Sequence, residues 1–143
     1  MLAEGGPSRT LLGRVALPEV RDRFSYHLNR SLAEQLGEGG APEFRLEVGT
    51  RLERDSLAIT QDDAITRIRL TAVADWALYR AGTAEPLLGE RTVSQSGYNS
   101  TASLFATREV SRDVERRLAR DLGERIARRL LARAETIAAA AGS

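Results

Sequence analysis

Cysteine is absent from the 143 residues, which excludes a disulfide framework, a thiolate zinc site and a thiol nucleophile. The single histidine, His27, excludes any multi-histidine metal site. Lysine is missing as well: all 21 basic residues are arginine, which looks more like base composition of the gene than function. Aromatic residues make up only 5% of the chain, and no apolar run approaches the roughly 20 residues that cross a bilayer. Nor does one sign of charge dominate. With 21 basic and 20 acidic residues the net charge is +1, so no global field steers the chain to nucleic acid or membrane. What is present is 42% hydrophobic and 29% charged, the composition of one globular domain rather than a disordered chain.

Residues 1–10 run through Gly-Gly-Pro-Ser before any pattern begins, and read as a flexible linker. They carry no basic n-region and no long apolar h-region. Either the protein is cytoplasmic, or a targeting segment has been removed ahead of it. From residue 11 to 140 the patterning is that of a single domain.

Leu11 to Leu17 is a short apolar run closed by Pro18, which reads as a first strand. Pro18 suits the first turn of a helix over 19–36. In it Val20, Phe24, Leu28, Leu32 and Leu36 recur every four residues, and Gly37 stands at the C-cap position. From Phe44 the period becomes two through Leu46 and Val48; it blurs near Arg54-Asp55 and resumes to Ile59. Gln61-Asp62-Asp63 reads as a hairpin tip. In the clearest strand Ile68, Leu70, Ala72, Ala74, Trp76 and Leu78 share one face, while Arg67, Arg69, Thr71, Val73, Asp75 and Tyr79 share the largely wet one. Leu87 to about Gln95 is a weaker strand, and residues 96–103 are a polar connection. A long helix from about Thr107 to Ala140 follows, with Val110, Val114, Leu118, Leu122, Ile126 and Leu130 stepping by four. The order β-α-β-β-β-α implies an α+β fold: a two-layer sandwich with two helices packed on one face of a four-stranded mixed sheet.

No catalytic constellation emerges. His27 lacks a nucleophile or an orienting carboxylate nearby in sequence, and Ser94, Ser96, Ser100 and Ser103 lie outside any G-x-S-x-G elbow. Carboxylates at metal-loop spacing do not follow Asp62-Asp63. Nine arginines from Arg108 to Arg133 face six acidic residues from Glu109 to Glu135, which reads as a salt-laced solvent face. Arg67 and Arg69, two apart on a strand, are better placed to grip phosphates, together with the arginines opening the last helix. A nucleic-acid face is disfavoured by the scarcity of stacking aromatics. No cofactor or metal is implied, and a binding or structural module is the default.

Several strings resemble those of a known family. They are Val15-Ala16-Leu17-Pro18-Glu19-Val20-Arg21-Asp22-Arg23 with Leu28-Asn29-Arg30-Ser31-Leu32; the meander Phe44 to Val48, Leu57 to Thr60 and Ala64 to Trp76; and Tyr98-Asn99-Ser100-Thr101 leading through Leu104 to Arg108 into Asp113-Val114 and Arg125-Ile126-Ala127. Over residues 11–133 the chain resembles LptE, the lipopolysaccharide-assembly lipoprotein, in its alphaproteobacterial form. The resemblance implies two helices on a four-stranded sheet. It also implies a non-catalytic outer-membrane lipoprotein on the periplasmic side, held by an N-terminal lipid anchor. Its partner would be the β-barrel LptD, which it plugs and helps assemble, and its ligand lipopolysaccharide. Basic residues of the family's central hairpin turn and of the start of its last helix bind that ligand. Arg108 matches the second position. At the first stands the acidic Gln61-Asp62-Asp63, a candidate partner contact, and Arg67 and Arg69 are candidate substitutes from the adjoining strand. The alternatives are another periplasmic or envelope protein-binding module, and a small cytoplasmic enzyme or RNA-binding sandwich.

Overall fold

A computed structural model describes residues 13–37, 40–57, 66–100 and 103–141. Its elements follow as β1 (Val15–Ala16), α1 (Arg23–Leu36), β2 (Phe44–Leu57), β3 (Thr66–Arg80), β4 (Pro86–Ser100), α2 (Leu104–Ala132) and α3 (Ala134–Ala141). The sheet runs β1-β2-β3-β4, with β1 parallel to β2 and the remaining neighbours antiparallel. This is the expected α+β arrangement on a mixed four-stranded sheet. The strand order, which patterning left open, is sequential.

The two periods explain the core. On β3 the expected inner row, Ile68, Leu70, Ala72, Ala74, Trp76 and Leu78, is buried in one cluster with the helical stripes. Phe24, Leu28, Leu32 and Leu36 of α1 join it, as do Val114, Leu118, Leu122, Ile126 and Leu130 of α2. The first members of both stripes do not: Val20 and Val110 are exposed. Val20 precedes the helix, because Asp22 caps α1 by accepting from the Ser25 N–H at 2.9 Å while the Asp22 N–H donates to Ser25 Oγ at 3.0 Å. That reciprocal cap satisfies otherwise orphaned donors, so the helix starts at Arg23 rather than 19, and Pro18 lies outside it.

Helix α2 is wedged between α1 and β4 and buries alanines as well as its main stripe, with Ala119 and Ala127 fully enclosed. At Gly123 the helices touch. A Cβ there would lie 2.6 Å from the Ser31 Cβ and 2.8 Å from the Leu28 carbonyl, and buried Ser31 donates to the Arg120 carbonyl at 2.9 Å. The expected single helix to residue 140 is two. Arg133 takes φ −101° and ψ 13°, its N–H is shared among carbonyls of the preceding turn, and the chain bends so that Ala134 and Ile137 enter the core.

Other boundaries shift for reasons of pairing. The stretch 96–100, read as a connection, continues β4 because β3 offers partners as far as Thr66↔Ser100, and Tyr98 turns inward and is buried. Helix α2 starts at Leu104, three residues before expectation, capped by Ser103, whose Oγ accepts from the Ala106 N–H. On the outer face of β3, Thr71 and Val73 are buried rather than wet. They stand in register with Glu53 and Gln95, and with Arg51 and Val93, whose stems flank them.

Candidate functional site

The sheet has a covered end and a bare end. Along β2, residues 44–48 are buried or half-buried with one exception, and residues 49–57 are all exposed. The bare end holds the start of β3, the end of β4 and the start of α2, because Thr66 pairs with Ser100 just before α2 begins. It therefore holds Arg67 and Arg69 of β3 and Arg108 of α2, all exposed. Arg67 and Arg69 stand on the outer face of the sheet, whereas Arg108 rises from the helical layer on the inner side. Gln61, Asp62 and Asp63 lie outside the described residues.

The partners of these arginines differ. The Arg67 guanidinium lies across Gly97, where a Cβ would come within 2.9 Å of it, and donates to Asn99 Oδ1 at 3.3 Å. Arg69 reaches Asp55 at 3.8 Å, a loose pair between exposed groups. Arg108 has no acidic partner within 4.0 Å among the described residues. Further along α2 most arginines are committed: Arg116 and Arg117 to Asp113, Arg120 to Glu34, Arg125 to Asp121, and Arg129 and Arg133 to Glu90. The pairs with Asp113 and Asp121 brace α2 itself, whereas Arg120–Glu34 ties it to α1, and Arg129 with Glu90 and Ser94 donating to Asp121 at 2.6 Å tie it to β4. The salt-laced reading thus describes most of the helix, while in its first turns Arg112 reaches Glu109 only at 4.0 Å.

Sequence reasoning missed Arg54. It leaves β2 on the inner side, donates to the hydroxyl of buried Tyr98 at 3.1 Å, and reaches Ser111 at 3.0 Å and Glu115 at 3.3 Å. An arginine in the blurred part of the β2 alternation was the available signal. At the same end of the sheet Leu57 is 40% exposed, and Phe105, in the first turn of α2, is 75% exposed. Guanidinium groups and apolar side chains thus share one end of the molecule.

Among the described residues His27 has no hydrogen-bonded nucleophile or carboxylate. His27 sits on α1 with Tyr26 edge-on at 5.3 Å. Burial, then Arg116, Arg23, Arg120 and Arg30, hold its pKa below the usual histidine value. On the outer sheet face Arg91 donates to Asp75 at 2.6 Å and, by that hydrogen bond first, lowers the carboxyl pKa. Among the described residues no three His, Asp or Glu side chains converge on a metal position. A cleft of about 980 Å³ opens at the covered end between residues 16–29 and β2–β4, over Leu28, Leu46 and Trp76. It contains neither His27 nor any pairing of nucleophile and base. No helix among the described residues is long and apolar enough to cross a membrane.

A family model described as LptE, lipopolysaccharide-assembly, matches residues 12–130. Among solved structures, a candidate lipoprotein from Caulobacter crescentus CB15 shares the fold with a TM-score of 0.73 at 19% identity, covering 91% of this chain and 98% of that one. A minor lipoprotein from Acinetobacter baumannii aligns with a TM-score of 0.62 at 12% identity over 85% and 93% of the two chains. The rare lipoprotein B of Shewanella oneidensis aligns with a TM-score of 0.57 at 12% identity over 83% and 94%. No curated protein sequence matches.

Proposed function

This chain belongs to the LptE lipopolysaccharide-assembly family, and from that premise we propose that it plugs and helps assemble the outer-membrane β-barrel LptD while binding lipopolysaccharide at its bare end. The family is a non-enzymatic component of lipopolysaccharide assembly. The finer reading is carried by the gathering of Arg67, Arg69 and Arg108 at one end beside exposed Phe105 and Leu57. Lipopolysaccharide is an amphiphile with phosphates and acyl chains. Guanidinium forks match the phosphates bidentately, and the exposed apolar side chains suit the chains. Arg108 takes the leading role, because no acid among the described residues competes for it. A charge-mixed exterior suits the polar lumen of such a barrel. The domain, residues 11–140, acts on the periplasmic side of the outer membrane, tethered by a lipid anchor as lipoproteins are.

Extraction of the native full-length protein in mild detergent tests the partner. The expected result is a large β-barrel recovered in about equal amount, and a protein recovered alone contradicts the plug. Arg108→Ala tests the ligand site: affinity for lipopolysaccharide falls by about tenfold, the range of a lost charge-assisted hydrogen bond, and the loss shrinks as salt rises. Unchanged affinity removes Arg108 from the site.

A further inference from the structure

Among the described residues, most of β2 is an unpaired sheet edge. β1 pairs only with Phe44 and Arg45, and the chain then leaves the sheet toward α1. The Phe44 N–H turns to β1 and donates to the Arg14 carbonyl at 3.0 Å, whereas the Glu43 carbonyl accepts from Ala81 on the β3 side at 2.9 Å. By strand alternation, both backbone groups of Leu46, Val48, Thr50, Leu52, Arg54 and Ser56 point away from β3. The Leu46 N–H still belongs to the short ladder with β1, and among the described residues no strand pairs with the row from Val48 onward. Proteins blunt such edges with charged side chains, proline, bulges or short strands. β2 runs 14 residues without proline and pairs with β3 without a register shift, and its charges, Arg45, Glu47, Arg51, Glu53, Arg54 and Asp55, are of both signs, so a pairing can match them instead of opposing them. Beyond Val48 it is exposed throughout.

We propose that this edge pairs with the same edge of a second copy of the chain, antiparallel about a two-fold axis at Leu52. Charge selects the register. Centred on Leu52, each Arg51 faces the other copy's Glu53 on the outer side, while Thr50 faces Arg54 and Leu52 faces itself on the inner side. Centring on Thr50 sets Glu53 against Glu47. Centring on Arg51 sets that arginine against itself and Asp55 against Glu47, and centring on Glu53 opposes two glutamates. Centring on Gly49 brings Glu53 of the second copy across Arg45, where β1 already lies. Of the registers centred from Gly49 to Glu53, that at Leu52 alone clears β1 and opposes no like charges. It also covers Leu52, now 39% exposed. Opposite charges directly across a ladder attract, and like charges repel. This pairing uses the backbone edge and stands apart from the plug reading, which concerns another partner.

Sedimentation velocity of the 143-residue chain from micromolar to millimolar concentration tests it. The expected result is a monomer–dimer equilibrium. R51E and E53R each place like charges opposite one another and weaken the dimer by about tenfold or more, while the combined R51E/E53R variant restores it. Circular dichroism confirms that each variant is folded. Amide exchange gives a second reading on the unmodified chain: the N–H groups of Val48, Thr50, Leu52, Arg54 and Ser56 slow as concentration rises. A chain that stays monomeric overturns the proposal. So does a dimer indifferent to either reversal, a double variant that fails to recover pairing, or a dimer whose edge amides exchange as in the monomer.

Discussion

The first five residues of β2 and the last nine share one ladder with β3 but not one environment. Phe44 and Leu46 are closed over by the helical layer, with 2% and 1% of their surface exposed, and Val48 is half-buried. Their continuation on the same inner side, Thr50, Leu52, Arg54 and Ser56, is exposed. The neighbouring β3 keeps its inner row buried from Ile68 to Leu78, because it runs under the helices between two strands. Alternation therefore records what covers a strand as much as that it is a strand. Where β2 loses its alternating apolar residues, stability gives way to surfaces available to other molecules: among the described residues, a backbone edge without a paired strand, an Arg108 without an acidic partner, and exposed Phe105.

The comparison can be broken most forcefully at the covered layer. Leu122→Ala removes a fully buried side chain between helix and sheet and is expected to cost about 2–5 kcal/mol of unfolding free energy by denaturant titration. Gly123→Ala comes next. Better helix propensity favours alanine by roughly 1 kcal/mol, but the new Cβ meets the Leu28 carbonyl and Ser31. Overpacking of about 1–3 kcal/mol outweighs that gain, so the variant is less stable, whereas a gain would mean the helices part freely.

A smaller effect is expected from pH. The folded protein holds the His27 pKa below its ordinary 6.5, so the unfolded chain takes up its proton first as pH falls. Stability contributed by neutral His27 is complete above about pH 6.5 and is lost as pH falls toward the folded value. His27→Gln is expected to flatten that stretch of the stability–pH profile. Smallest of all is Leu52→Ala at the bare end, expected to change monomer stability by no more than about 0.5 kcal/mol. A loss as large as that of Leu122→Ala would erase the distinction between the two ends.

The sequence was most legible where one residue type repeats against one neighbour. The alternation from Ile68 to Leu78 and the stripe from Val114 to Leu130 announced the core because burial selects apolar side chains at the period of each element. It was least legible where a partner decides. Ser96 to Ser100 is polar and glycine-bearing, and becomes strand because β3 presents an unpaired ladder beside it. The start of α1 was misplaced because Pro18 resembles a helix opening, whereas the Asp22–Ser25 cap sets it. Gly123, a poor helix former by propensity, is where α2 touches α1. Arg67, Arg69 and Arg108 were recognisable as candidates, yet no spacing revealed that the sheet layer separates the first two from the third. Arg54 escaped notice because its role depends on Tyr98 and Glu115, 44 and 61 residues away.

The most direct test of the account is amide hydrogen exchange across the whole chain with and without lipopolysaccharide. The account expects slower exchange in the bare end, in residues 66–71 of β3, 95–100 of β4 and the first turns of α2 around Arg108, with Leu28 to Leu36 and Leu118 to Leu130 unchanged. Slowing confined to the covered end and its cleft, or none at concentrations that saturate binding, would contradict it.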